Sequence, residues 1–313
     1  MNNQSRATTR LLVTPSYEGE RLDIFLASAT DLSRRAARRS IDDGLVKRNG
    51  DVLRVQSRPV ATGDVVDIGC PASELGVGVE TPPAVPQLLF EDGWILVAAK
   101  PAGVLSQPAE GRKPGDPLAF DQQLLLALAW REGQRPFLRM VHRLDRMTSG
   151  AVLFARSPDA LPRLSRAWIE GLVERLYLAV VEGHPESETF AIDRPIARDP
   201  SHRWRFRSRD GGKSSRTEAR VLAILEDGLS VVACRLVTGR THQVRVHLAT
   251  AGHPVVGDRL YGSTRTDLAG RPLLHAAALA LPHPATGDEL RVNCPPPLDI
   301  AKYLSDDFDI AQL

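Results

Sequence analysis

The sequence predicts an α+β protein in two parts, a small N-terminal module and a larger mixed, largely antiparallel sheet. Three observations predict it. From residue 88 onward, short apolar runs separated by turn signals such as Asp92-Gly93, Asp227-Gly228 and Thr286-Gly287 dominate, and helical patterns are scattered between them. The first seventy residues place two short helical patterns ahead of a few short strands. Between the two, residues 71–87 hold Pro71, Pro82, Pro83, Pro86, Gly76 and Gly78 without a hydrophobic period, the composition of a proline-stiffened linker. The expected organisation is therefore a module at 15–70, a linker at 71–87 and a large domain at 88–300.

In chain order, residues 1–14 are expected to be a frayed tail. Leu22, Phe25, Leu26 and Ala29 fall at the spacing of one buried helix face. Ser33 is placed to cap a second helix that buries Ala37 and Ile41 and ends at Gly44, with Arg34, Arg35, Arg38 and Arg39 along its exposed side. Asn49-Gly50 signals a hairpin, and Val65–Ile68 reads as a strand. In the large domain, strands are expected at 88–90, 95–99, 151–154, 176–181, 221–225, 229–237 and 273–281, and helices at 120–130 and 159–170. A further helix should carry Val244, His247, Leu248 and Ala251, with Thr241 as its cap and Gly252 as its stop. Residues 184–218 read as irregular and basic. Their Arg203, Trp204, Arg205, Arg207 and Arg209 suit either single-stranded RNA or a solvated edge hairpin.

Composition narrows the function classes. No apolar run approaches bilayer-spanning length and MNNQSRATTR has no secretory pattern, so a cytoplasmic protein without membrane association is expected. Cys70, Cys234 and Cys294 are odd in number, far apart and lack CxxC spacing, which points to reduced, buried thiols. The formal net charge of +2 announces no nucleic-acid partner, yet only five of 40 basic residues are lysine. Guanidinium groups grip phosphate and stack on bases, so this arginine wealth fits RNA contact as well as a genomic bias. Eight histidines include no HExxH, and His242 and His247 are five apart, which splits them across a helix. Ser149 lacks a GxSxG elbow, and no GxGxxG or Walker loop occurs.

The densest polar cluster is MVHRLDRMTSG, Met140 to Gly150, immediately before an apolar strand. Asp145 is its only acid, lying between Arg143 and Arg146, whose charges favour the ionised form. Read alone, an acid among arginines is first an ion pair and second a nucleophile or base.

Two resemblances extend these readings. Residues 20–68 resemble the S4 RNA-binding domain through RLDxFL at Arg21 to Leu26, SRR at Ser33 to Arg35, IxxG at Ile41 to Gly44, VxxNG at Val46 to Gly50 and GDxVxI at Gly63 to Ile68. Residues 88–298 resemble the RluA family of pseudouridine synthases. HRLDRMTSG at His142 to Gly150, KPAGVLSQP at Lys100 to Pro108, GRTHQVRVHLATAGHPVVGDRLYG at Gly239 to Gly262 and HAAALALPHPATGDE at His275 to Glu289 carry the likeness, in the family's order. The resemblance implies isomerisation of uridine to pseudouridine in RNA without metal or organic cofactor. The base is extruded, its C1′–N1 bond is broken, and the ribose is rejoined at C5. By position, Asp145 is the essential carboxylate, as nucleophile or as base toward the sugar. Tyr177 packs on the target base and helps remove the C5 proton. Arg245 pairs with the aspartate, with Arg240 as the lesser candidate, and Arg143 fills the space of the flipped nucleotide beside His142. Arg175 stands where the family usually has lysine. Arg34, Arg35, Arg38 and Arg39 are expected to hold RNA phosphates. Ribosomal RNA is the expected partner and tRNA the alternative, with the chain acting as a monomer. A non-catalytic RNA-binding or ribosome-assembly protein is the reading from another class.

Overall fold

A computed structural model of the chain describes residues 8–70, 72–76, 82–111, 113 and 115–313. The start of the expected tail and most of the linker's glycine-bearing stretch lie outside the described residues. The chain forms two compact units. One runs to Pro86 and also takes in Gln107–Leu138; the other comprises Gln87–Ser106 and Arg139–Leu313.

The N-terminal unit holds a four-stranded sheet of β1 (Thr9–Leu12), β2 (Val46–Arg48), β3 (Asp51–Val52) and β4 (Val65–Ile68), in the order β1-β4-β2-β3. Helices α1 (Leu22–Ala29) and α2 (Arg34–Asp42) pack on it, and α3 (Phe120–Glu132) belongs to the same unit. The helix expected in the large domain thus folds with the small module. Residues 9–12, expected to fray, instead pair antiparallel with β4 and bury Thr9 and Leu11. Leu75, in the expected linker, is fully buried in the core with Leu22, Phe25, Leu26, Ile41 and Val66. The hairpin forms as its residues demand, with Asn49 and Gly50 both at positive φ, 52° and 90°, as a two-residue turn of this hand requires. Ser33 caps α2 by accepting from the Ala36 backbone N–H.

The arginine face of α2 divides. Asp23 on α1 is fully buried and accepts from Arg21 Nε at 3.0 Å, Arg34 Nε at 3.1 Å and Arg38 Nε at 2.8 Å. Arg35 and Arg39 are exposed. The expected solvent-facing row of four therefore has two members folded back onto a buried acid, which would be too costly to bury uncompensated.

The second unit is built on a ten-stranded sheet. Its main path runs β10 (Thr189–Asp193), β13 (Arg216–Leu225), β14 (Leu229–Leu236), β9 (Glu174–Glu182), β15 (Leu274–Pro282), β8 (Ser149–Ala155), β6 (Ile95–Lys100) and β5 (Leu88–Glu91). Two further strands, β16 (Glu289–Asn293) and β7 (Arg139–Met140), pair with β15 and β8. The β8–β15 pair is parallel and its neighbours are antiparallel, so the sheet is mixed and largely antiparallel. Helices α4 (Ala160–Ile169), α5 (Gln243–Thr250) and α6 (Leu298–Ala301) connect or flank it. Residues 184–218 are more ordered than their composition suggests. They contain β10, the separate hairpin of β11 (Ile196–Arg198) and β12 (Phe206–Ser208), and the start of β13. Gly150 is indispensable at the parallel seam. Its φ is +128°, and a Cβ there would lie 2.3–2.7 Å from the Ala276 backbone. All three cysteines are free, Cys234 and Cys294 buried and Cys70 half-buried. No helix is long and apolar enough to cross a membrane.

Burial alone would raise the Asp23 pKa, but hydrogen bonds from Arg21, Arg38 and Arg34 outweigh it and hold the carboxyl well below the usual carboxylate range. A folded-state pKa below the unfolded value stabilises the fold above about pH 4, and that stabilisation is lost as pH falls further. Asp23→Ala should therefore lower the thermal unfolding midpoint by several degrees at pH 7. The gap to wild type should narrow as pH falls below about 4. A gap of constant size in pH-dependent melting would show that the carboxylate's charge is not what stabilises the module.

Candidate active site

The loop Val141–Thr148 enters β8 at the parallel seam, where a sheet centre can hold a polar segment still. Its backbone is anchored from several directions. Ser106 Oγ donates to the Leu144 carbonyl at 2.7 Å and accepts from the Leu144 N–H at 3.0 Å. Lys100, almost fully buried, donates from Nζ to the carbonyls of Pro101, Val104 and Arg146. Burial pulls its pKa down to about 8, against the attraction of Asp145. Arg146 Nε reaches the Gly103 carbonyl, and Arg271 Nη1 reaches that of Met147. The KPAGVLSQP segment is thus a brace for the aspartate loop.

Asp145 Oδ2 accepts from Arg245 Nη1 at 3.3 Å. Arg245, on α5, is itself gripped by buried Asp258, with Nε to Oδ2 at 2.6 Å and Nη2 to Oδ1 at 2.8 Å. Burial alone would lower the Arg245 pKa, but the hydrogen bonds and charge of Asp258, with that of Asp145, raise it above arginine's ordinary value. Its guanidinium also lies over the Tyr261 ring at 5.0 Å.

His242 faces the same carboxylate, Nε2 to Asp145 Oδ2 at 3.8 Å. Burial lowers its pKa, with the Asp145 charge opposing and that of Arg245 adding, so the ring is neutral near pH 7. Tyr261 Oη accepts from the Phe206 N–H at 3.0 Å and lies 2.7 Å from His242 Nδ1. His242 is also the residue before α5, at φ 59°, where Thr241 was expected to cap. The helix start is instead secured by Gln243 Oε1, which accepts from the Arg240 N–H and from Thr238 Oγ1.

A cavity of about 310 Å³ opens over this cluster. Asp145, Tyr177, Arg245, His142, Arg143 and Arg240 all line it, as do Arg175, Trp168 and His242. Six residues expected at the site thus converge from three stretches of sequence, while the four α2 arginines lie in the other unit. Arg143 and Arg240 are exposed. His142 stacks on Trp168 at 4.7 Å, and its Nε2 accepts from the Leu153 N–H. Burial, with the nearby Arg175 charge, pushes its pKa down to about 3, so it contributes a neutral ring rather than a cation. Burial lifts the Tyr177 phenol to about 12, against the pull of Arg175 and with the push of Asp145. A phenol that holds its proton suits packing against a base better than proton removal. Among the described residues no three His, Cys, Asp or Glu side chains gather as a metal site requires.

Asp258, Tyr261, His242 and Lys100 were not singled out from sequence as site residues. Asp258 is thirteen residues beyond Arg245, within the same glycine-rich segment, and an acid there was the available signal.

Comparisons with known proteins identify the family. Residues 94–250 match the family model described as RNA pseudouridylate synthase, and residues 20–66 match the S4 domain. An uncharacterized RNA pseudouridine synthase of Chloroflexus aurantiacus is 39% identical over 305 residues, covering 93% of this chain and 90% of that protein. A ribosomal large subunit pseudouridine synthase D of Zymomonas mobilis is 33% identical, covering 94% and 95%. Among solved structures, human RNA pseudouridylate synthase domain containing 1 is similar with a TM-score of 0.57 and 29% identity, over 70% of this chain and 86% of that one. With its Asp145 pocket, its mixed sheet and these matches, the chain belongs to the RNA pseudouridylate synthase family, enzymes that isomerise uridine in RNA to pseudouridine.

Proposed function

We propose that the chain modifies uridine in ribosomal RNA, in the cytoplasm and as a monomer, with Asp145 as its essential carboxylate. The observation that carries the assignment is the shared guanidinium. Arg245 is fixed bidentately by Asp258 and turns its remaining Nη1 to Asp145, inside a cavity that also presents the Tyr177 ring. Such a pair keeps a carboxylate oriented and charged when substrate excludes water. Asp145 acts on the ribose as nucleophile or base. Tyr177 provides the flat face on which an extruded uracil rests, and Arg143, exposed at the rim, occupies the space the base leaves. Extrusion costs a few kcal/mol, offset by this stacking and by phosphate contacts. Ribosomal RNA is favoured over tRNA because the Zymomonas mobilis relative, named for the large subunit, matches along nearly the whole chain.

Asp145→Asn should bind RNA as wild type does and release no tritium from RNA carrying 5-tritiated uridine. Tritium release at the wild-type rate would remove Asp145 from the chemistry.

For the S4 module, the division of the α2 arginines separates two roles. Arg35→Ala with Arg39→Ala should leave the melting temperature unchanged and reduce the slope of log affinity against log salt by between about 1 and 2, since each phosphate contact contributes about 0.7–0.9. Arg34→Ala with Arg38→Ala should mainly lower the melting temperature, because these two serve Asp23. An unaltered salt slope in the first variant would mean that its two arginines are only solvated.

A further inference from the structure

Four cations are buried among the described residues: Lys100, Arg175, Arg245 and Arg271. Three have their charge answered within the protein. Lys100 gives its protons to three carbonyls, Arg245 to two carboxylates, and Arg271 to Asp299 together with three carbonyls. Arg175, only 8% exposed, has one hydrogen bond, Nη2 to the Leu236 carbonyl at 3.2 Å. Its buried Nε has no partner, and no carboxylate of the described residues pairs with it. One face of its guanidinium is covered by the Trp168 ring at 5.0 Å. Gly239 is bare on its other approach, where a Cβ would sit 2.4 Å from Nη1. Burial without a counter-charge is expensive, and it draws the Arg175 pKa below arginine's ordinary value.

This uncompensated cation lines the catalytic cavity. It stands two residues before Tyr177 on β9, and in a strand residues two apart project to the same face. A base resting on Tyr177 is therefore next to the guanidinium. Whether Asp145 adds to C1′ or takes the C2′ proton, the C1′–N1 electron pair departs with the base. In the first case the sugar ends as an ester of Asp145. In the second it ends as a C1′=C2′ alkene with the proton on Asp145. Either way uracil leaves as an anion with its charge spread over N1, O2 and O4, and it takes up a proton at N1 only after C5 has rejoined C1′ and lost its own proton to solvent.

We propose that Arg175 is a catalytic residue that stabilises the uracil anion while it is detached from the ribose. The role rests on the pseudouridine-forming reading of the Asp145 site. It predicts a defect in the chemical step rather than in binding, because the uridine of the ground state carries no charge for Arg175 to meet.

The test is single-turnover tritium release from large-subunit ribosomal RNA transcribed with 5-tritiated uridine, with the dissociation constant measured in parallel by filter binding. Arg175→Met should slow release at saturating enzyme by about 100-fold or more while changing the dissociation constant by less than about threefold. Arg175→Lys, which keeps the charge, should recover most of the rate. Arg175→Gln, which keeps a donor for the Leu236 carbonyl, serves as the neutral variant if Arg175→Met fails to fold by circular dichroism. A neutral variant as fast as wild type would overturn the proposal. So would weakened binding with an unchanged saturating rate, which would assign the cation to an RNA phosphate. A lysine variant as slow as the neutral one would overturn it too, since shape and not charge would then matter. Wild-type protein inactive on both ribosomal RNA and tRNA would instead refute the underlying reading.

Discussion

The candidate active site depends on one guanidinium held between two carboxylates. Asp258 takes Arg245 bidentately in a buried setting, and this fixes the direction of the Nη1 proton that reaches Asp145. Removing two charges from water is costly, and the fork geometry of arginine against carboxylate is what makes the arrangement tolerable. The consequence is a cation that cannot swing away from Asp145 when substrate enters. Preorganised charge of this kind stabilises a reacting carboxylate without reorganisation during the reaction. Tyr261 and His242 add to the same rigidity, because the Phe206 amide orders the tyrosine hydroxyl and the tyrosine orders the imidazole.

Holding Arg245 still is useful only if Asp145 is equally fixed, and the aspartate loop shows how that is done. Carbonyls of Leu144, Arg146 and Met147 are accounted for by Ser106, Lys100 and Arg271, so the turns around Asp145 leave few polar groups to be rearranged. A loop of this polarity would ordinarily stay at the surface in exchange with water. Here buried side-chain donors replace water, and the acid keeps its position beside the sheet. Gly150 completes the arrangement by letting β8 and β15 approach as parallel neighbours at the loop's exit.

Much of this was legible in the sequence, and the omissions share a cause. Helices α1, α2 and α4 and the Asn49-Gly50 hairpin follow from local spacing and turn chemistry, as does the strand after MVHRLDRMTSG. The six pocket residues followed from motif resemblance. By contrast, β1 owes its existence to a partner more than fifty residues away, and four residues of mixed polarity give no local sign of that pairing. The basic stretch after residue 184 looked irregular because its strands are short and carry charged residues. The α2 arginines sit at helical positions that periodicity marks as outward. Only the depth of Asp23 decides that Arg34 and Arg38 turn back, and burial of a single acid leaves no trace in local pattern. His242 in place of Thr241 before α5 has a similar origin. Its φ of 59° is a left-handed conformation that local propensity does not favour at a histidine.

Under the proposed chemistry of Asp145 and Arg175, the succession of charges gives these features a common logic. Before the glycosidic bond breaks, Arg245 answers both Asp145 and Asp258, and Arg175 is unanswered. Once Asp145 has become an ester or taken a proton it is neutral, and a site relying on that one acid would be left with a naked buried arginine. Asp258 prevents this by remaining on Arg245 throughout. The negative charge that Asp145 gives up reappears on the detached uracil, on the side of the cavity where Arg175 waits. Each cation is then paired in the intermediate, including the one unpaired at rest. A pocket compensated for the intermediate more fully than for the free enzyme binds the reacting state preferentially, which is the requirement for catalysis.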